Sequence, residues 1–258
     1  MLKHKITAIF FISILILLAF LSKFVSIEIK YFIVVVVLWF LVVLMGSSFI
    51  SLNYHVKAYC SNPFETEKKI AITFDDGPTE MTLLVLDILK KNNAKAAFFC
   101  IGKNIEKHPD ILKKIAEEGH LVGNHSYSHS SFFDFYRKNK VIGEIKKTDA
   151  LIESVLGMKT TLFRPPYGVT NPSIRRALEV TNHKTIGWNI RSLDGIVKNE
   201  KFIFDRIIKR ITPGGIVLLH DTSIQTVHVL ERVLQFLQNN NYTVVSLEQL
   251  LKIKGYEE

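Results

Sequence analysis

Ile70-Ala71-Ile72-Thr73-Phe74-Asp75-Asp76-Gly77-Pro78 is an apolar, β-branched run that ends in two adjacent carboxylates and a Gly-Pro stop. Such a run reads as a short buried strand closed by a turn. One Asp suffices to open that turn, and two side by side repel unless a cation or an arginine compensates them. Taken alone, the run also fits an Asx-type turn with a solvated second Asp. Similar apolar runs at about 96–101, 120–124, 161–164, 185–190, 215–220 and 243–247 join 70–75 as predicted strands. Helical spacing fills the intervals, as in Ile105 to Glu118 and Ile224 to Asn239. Alternating strand and helix patterns imply a parallel sheet. Polar residues follow several strand ends, which favours a closed barrel with its site at the carboxyl face over an open doubly wound sheet.

Those strand ends carry the chemistry. Gly119-His120-Leu121-Val122-Gly123-Asn124 feeds into His125-Ser126-Tyr127-Ser128-His129, where two imidazoles four apart meet one cation if the segment makes a helical turn. Two surface histidines on a helix give the same spacing. With an aspartate, the pair makes the three-ligand pattern of a catalytic zinc site. Arg164-Pro165-Pro166-Tyr167-Gly168 reads as a rigid loop carrying an arginine able to hold an aspartate ionised, with a backbone amide at Tyr167 available to an oxyanion. Gly214-Gly215-Ile216-Val217-Leu218-Leu219-His220 is an apolar strand ending in a histidine placed for proton transfer. Ile186 to Ile190, with Trp188, precedes Asp194, which either orients His220 or is a solvated loop residue.

In order, Thr-Phe-Asp-Asp-Gly-Pro, His-Ser-x-x-His, Arg-Pro-Pro-Tyr-Gly, Trp-x-x-x-x-x-Asp and Leu-Leu-His-Asp resemble the five motifs of the polysaccharide deacetylase family, the NodB-homology domain of carbohydrate esterase family 4. The resemblance covers roughly residues 68 to 250 and implies a distorted (β/α)7 barrel, an α/β fold. It implies Asp75 as general base, with Asp76, His125 and His129 as ligands of a divalent metal. It further implies Arg164 as the residue orienting the base, Tyr167 as oxyanion donor, His220 as general acid and Asp194 as its partner. Leu218 would line the acetyl-methyl pocket, and Trp188, like Tyr167, would contact substrate. Zinc suits these ligands, as do cobalt, nickel or manganese. Where many members have Asp-Trp in the fourth motif, Gly195 follows Asp194, and Arg191 stands where an acid is frequent. That departure bears on substrate choice more than on reaction type.

Of the 258 residues, 48% are hydrophobic, with the excess at the N-terminus. About Ile6 to Leu21 and Tyr31 to Leu52 form two apolar stretches separated by Lys23, Glu28 and Lys30, which read as a transmembrane helical hairpin. A cleavable signal peptide is the alternative for the first, but no small-x-small site follows Ala19. The expected organisation is a membrane anchor over 1–52, a linker over 53–67 and a catalytic domain over 68–258. Lys3, Lys5, Lys57, Lys68 and Lys69 weigh mildly toward a cytoplasmic domain. The resemblance, through its polysaccharide substrates, implies an extracytoplasmic one, and that is the expected placement of this multi-pass membrane protein.

Cys60 and Cys100 fix no compartment. The net charge of +9 comes without any nucleic-acid motif, so no nucleic-acid partner is expected, and no protein partner can be inferred. The function expected is removal of N-acetyl groups from N-acetylglucosamine units of peptidoglycan or a chitin-like polysaccharide. An O-acetyl esterase of xylan type and an inactive glycan-binding membrane protein are the alternatives.

Overall fold

The computed structural model describes residues 3–257; Met1, Leu2 and Glu258, the ends of the expected anchor and catalytic domain, lie outside the described residues. Two apolar helices come first, α1 (His4–Leu21) and α2 (Ile29–Ser48). At about 1.5 Å per residue the 20-residue α2 reaches the ~30 Å of a bilayer core and the 18-residue α1 falls about 3 Å short of it. Their side chains are mostly exposed, with only Thr7, Phe11 and Gly46 buried. Phe11 stacks on Trp39 with ring centroids 6.0 Å apart, which holds the two helices together.

Beyond them strands and helices alternate: β1 (Ala58–Tyr59), β2 (Lys69–Asp75), α3 (Glu80–Lys91), β3 (Ala96–Cys100), α4 (Gly102–Lys107), α5 (Pro109–Glu117), β4 (Leu121–Asn124) and α6 (Lys138–Leu156). The second half continues with β5 (Leu162–Phe163), α7 (Pro172–Thr181), β6 (Lys184–Ile186), β7 (Ile190–Arg191), α8 (Glu200–Ile208), β8 (Gly215–His220), α9 (Ile224–Asn239), β9 (Thr243–Val244) and α10 (Leu247–Leu251). All strands pair in parallel, in the order β1-β6-β5-β4-β3-β2-β8-β7, with β9 also beside β2. The curled sheet with helices outside it is the distorted barrel that the resemblance implies; among the described residues β1 and β7 do not pair, so it is a half-barrel rather than the closed one that the strand ends suggested.

Period-two alternation divides the core. Ile70, Ile72 and Phe74, with Phe98, Val217 and Leu219, face α3, α8 and α9 in one cluster. Ala71, Ala97, Phe99, Leu162 and Ile216 fill the inside of the curl. By the same alternation Thr73 and Asp75 follow Ala71 inward, and Leu218 and His220 follow Ile216. A third cluster, including Phe133, Val141, Phe163 and Ile174, seats α6 and α7.

Two further sequence readings change. The run at 185–190, expected as one strand, is two short ones at opposite places in the sheet order: β6 pairs with β5, and β7 pairs with β8. Gly187 to Asn189 carries the chain across the gap. Carbonyls that would otherwise join a ladder turn to Arg164, whose Nε donates to Ile186 O (3.2 Å) and Nη2 to Gly187 O (3.0 Å). Gly187 is required there, since a Cβ would lie 2.5 Å from Cys60 Sγ and 3.2 Å from Ile50 Cγ2. The stretch expected as a linker contains ordered structure: β1 adds a strand beside β6, and Asn62 N–H donates to Gly214 O at 2.8 Å.

Phe74 and Phe98 are buried on neighbouring strands with ring centroids 5.0 Å apart and 19° between planes. Phe98→Ala is expected to lower the unfolding free energy in urea by about 3–5 kcal/mol. Combined with Phe74→Ala, the loss should fall short of the sum by about 1 kcal/mol, since the second truncation removes a pair already broken.

Candidate active site

Asp75 is the last residue of β2 and stands in register with His220, the last of β8. Strand direction alone therefore puts a carboxylate beside an imidazole at the carboxyl face of the sheet. Asp75 is buried, and Arg164 Nη1 donates to its Oδ1 at 2.6 Å and to Thr73 Oγ1 at 2.9 Å. Burial lifts the Asp75 carboxyl above its ordinary range, against the opposing pull of Arg164, His220 and His129. Arg164, fully buried at the end of β5, stacks its guanidinium 4.1 Å from the Phe99 ring centroid.

Asp76 adopts φ 74°, Asn104 Nδ2 donates to its carbonyl at 2.7 Å, and Asp75 Oδ2 lies 3.7 Å from His125 Nε2 on the same side. His125 Nε2 lies 3.5 Å and His129 Nε2 3.4 Å from Asp76 Oδ1. The expected helical turn between the histidines is absent. Ser126 (φ 64°) and His129 (φ 46°) take left-handed backbone, and the loop wraps around two acceptors instead. Asn124 Oδ1 accepts Ser126 N–H at 2.8 Å, and Glu144 on α6 accepts Tyr127 N–H, Ser128 N–H and Ser128 O–H at 3.1, 2.7 and 2.9 Å. The rings still converge, with centroids 4.8 Å apart.

The donor chemistry fits a divalent cation. One ligand atom from each of Asp76, His125 and His129 lies within 4.8 Å of the others. Asp76 Oδ1 is buried with no hydrogen-bond partner, an orphan that a cation would satisfy. His125 Nδ1 sits 2.7 Å from Arg164 O, which can only accept, so Nδ1 carries the proton and Nε2 turns its lone pair toward Asp76. Burial, then the neighbouring His129, lowers the His125 pKa to about 3, which keeps that lone pair free.

His220 is held differently. Its Nδ1 lies 2.8 Å from Asp194 Oδ1 and its Nε2 4.0 Å from Asp76 Oδ2. Asp194 also accepts from Ser192 Oγ (2.5 Å), Thr226 Oγ1 (2.7 Å) and His220 N–H (2.8 Å). Burial would raise the Asp194 carboxyl, but the bonds from His220, Ser192 and Thr226 hold it below its ordinary range. For His220, burial favours the neutral ring and the Asp194 hydrogen bond and charge outweigh it, with Asp75 and Asp76 adding to the pull, so the pKa rises to about 9.

Of the remaining candidates, Tyr167 (φ 59°) is half exposed, with its ring edge-on to His129 at 4.8 Å between centroids. Leu218 is buried on the His220 face of β8. Trp188 packs against Gly168, where a Cβ would overlap the indole, and lies 5.5 Å from the Arg164 guanidinium, so its visible work is to support the Arg164–Gly168 loop. Gly195 lies on the His220 ring, where a Cβ would come 3.2 Å from Cε1. Arg191 is exposed and its carbonyl accepts from Arg206 Nε at 2.9 Å. Sequence reading missed Glu144, Asn124, Ser192 and Thr226, which shape the loop and hold His220 through Asp194; a lone polar residue on a helix, loop or strand end carries no spacing signal. It also missed Asp221, buried against Gly77 and hydrogen-bonded from Thr82, with burial raising its pKa to about 7.

Residues 64–186 match the sequence profile of a family described as polysaccharide deacetylase. The chain is 32% identical over 198 residues to a peptidoglycan-N-acetylglucosamine deacetylase of Bacillus cereus, a match covering 74% of this chain and 71% of that one. It is 34% identical over 187 residues to the peptidoglycan-N-acetylglucosamine deacetylase PgdA of Listeria monocytogenes, covering 72% of this chain but only 39% of that longer protein. Among solved structures, the Bc1960 peptidoglycan N-acetylglucosamine deacetylase superposes with a TM-score of 0.71 at 31% identity, covering 77% of this chain and 94% of that one.

In metal-free protein, one histidine ring signal is expected to titrate near pH 9 by NMR and to fall back toward the ordinary range in Asp194→Asn. Because the folded pKa is raised, the stabilisation from charged His220 is complete below about pH 6.5 and is lost as pH rises through about 9. A His220 midpoint at or below 6.5 would contradict the ion-pair assignment.

Proposed function

The chain belongs to the polysaccharide deacetylase family, and from that premise we propose that it is a membrane-anchored, metal-dependent N-deacetylase of cell-wall glycan. The observation that carries this reading is the convergence, at one end of the sheet, of the Asp75–Arg164 pair, the Asp76, His125 and His129 donors and the His220–Asp194 pair. The names of the relatives support N-acetylglucosamine units of peptidoglycan as the substrate and acetate as a product. In the proposed organisation, residues 1–52 are a two-helix anchor, 53–67 a connecting stretch that also supplies β1, and 68–258 the catalytic domain. The cell-wall substrate favours an extracytoplasmic catalytic domain.

A divalent cation held by Asp76, His125 and His129, with zinc, cobalt, nickel or manganese all compatible, would polarise the acetamide carbonyl and acidify water. Asp75 takes the proton of the attacking water. Arg164 fixes the orientation of that carboxylate, and burial gives it the basicity to hold the proton during attack. The oxyanion that forms is met by the Tyr167 N–H, a contact of a kind worth about 3 kcal/mol. Leu218 offers an apolar wall to the acetyl methyl. An amine leaves poorly unless protonated, so His220, charged at neutral pH through Asp194, delivers its proton to nitrogen as the C–N bond breaks. Acetate and a free amino sugar result.

Acetate released from peptidoglycan and from N-acetylglucosamine oligomers, with and without chelator, tests the reading. Release that chelator abolishes and added zinc restores is expected, and release from O-acetylated xylan alone would replace it with an esterase. Asp75→Asn should lower turnover by about 10²–10⁴-fold while bound metal, counted by elemental mass spectrometry, stays near wild type. His125→Ala should lose metal and activity together. Wild-type turnover in Asp75→Asn would remove the base assignment.

A further inference from the structure

Away from the catalytic cluster, a cavity of about 620 Å³ opens where the two apolar helices meet the rest of the chain. It lies between the start of α1, the segment 53–58 and α7. Lys3, Lys5, Lys57 and Arg175 line it together with His4 and His55, and no carboxylate is among its lining residues. Glu179, one helical turn from Arg175 and 3.7 Å from its guanidinium, lines the adjoining hollow with His55, Lys57 and Arg175. The walls are built. Tyr54 is buried, its OH 2.5 Å from Thr7 Oγ1 and its carbonyl accepting His4 N–H at 3.1 Å. His55 is buried with Nε2 3.0 Å from Ser47 Oγ, and its ring lies 4.8 Å from that of His4. His4 Nδ1 is buried with no hydrogen-bond partner. Burial first, then His4 and Arg175, lowers the His55 pKa to about 4, so this ring is neutral beside the cationic side chains.

The position of the cavity selects its ligand. It opens at the end of the helix pair where α1 begins and α2 has just ended, which is the level of lipid headgroups if the pair spans a bilayer. The start of α1 adds the positive end of an 18-residue helix dipole to the four cationic side chains. We propose that this cavity binds the phosphate headgroup of an anionic membrane lipid, clamped by Lys3, Lys5, Lys57 and Arg175 at the junction of anchor and catalytic domain. The assignment rests on the membrane-spanning reading of α1 and α2. It accounts for a cationic cluster that does no work at the active site.

The test uses the full-length chain, purified in detergent, stripped of lipid and offered equal phosphatidylglycerol and phosphatidylcholine. Native mass spectrometry should find phosphatidylglycerol retained at least tenfold over phosphatidylcholine. In Lys57→Gln/Arg175→Gln, checked for fold by circular dichroism, that preference should drop at least fivefold. Equal retention of the two lipids, or an unchanged preference in the double variant, would overturn the proposal. So would inorganic phosphate at millimolar concentration displacing the retained lipid outright, since that would make the ligand a free anion. A chain that stays dispersed without detergent would remove the spanning reading and the lipid site together. Loss of lipid preference with acetate release intact would leave the catalytic reading untouched.

Discussion

A single buried guanidinium organises the catalytic end of this chain. Arg164 has no exposed surface, and an unpaired charge there would cost several kcal/mol, so each of its donors needs an acceptor. It finds them in Asp75, in Thr73 and in the carbonyls of Ile186, the last residue of β6, and of Gly187 just after it. Those carbonyls are withdrawn from any strand ladder, which is why β6 and β7 part and why the chain crosses the gap in the curled sheet at Gly187. The carbonyl of Arg164 in turn orients His125, so Asp75 and the proposed metal donors share one anchor. Few residues could serve: lysine offers a point charge, whereas the planar fork of arginine satisfies several acceptors at fixed angles.

Asp75 and His220, the proposed proton-handling groups, differ in environment as well as in type. Asp75 is lifted by burial, and His220 is raised by the ion pair with Asp194, although the two residues stand side by side in register. Their environments prepare one to take a proton and the other to hold one near neutrality, the division of labour that amide hydrolysis requires. Asp194 stays charged despite burial because three donors besides the imidazole Nδ1 converge on it. Gly195 leaves room beside the His220 ring that a larger residue would fill.

The two N-terminal apolar helices are coupled to the same region. Thr170 N–H, two residues past the Arg164–Gly168 loop, donates to Ser47 O at the end of α2, and Ile50 reaches Gly187 in the gap segment. A shift of the helix pair therefore loads the backbone on which Arg164 and Tyr167 are mounted. The basic cavity at the foot of α1 lies on the same junction, so a headgroup bound there would brace the anchor against the catalytic domain.

The residues of the site were legible in the sequence because a strand's end is local: an apolar run stopped by Asp-Asp-Gly-Pro, by His or by Arg-Pro-Pro declares where its polar residues emerge. The β/α alternation and the two apolar helices were legible for the same reason, since hydrophobic period is a property of neighbours. Long-range hydrogen bonding was not. The His125–His129 spacing suggests a helical turn, and a lone Glu144 on α6 overrides it with three acceptor contacts. One apolar run at 185–190 suggests one strand, and Arg164, more than twenty residues away, splits it. Sequence alone thus determined which polar side chains emerge at the strand ends and the order in which the elements follow. The tertiary structure decided how those side chains are held, because a buried charge or an orphan carbonyl is satisfied by whatever the fold brings near, and that partner leaves no trace in local pattern.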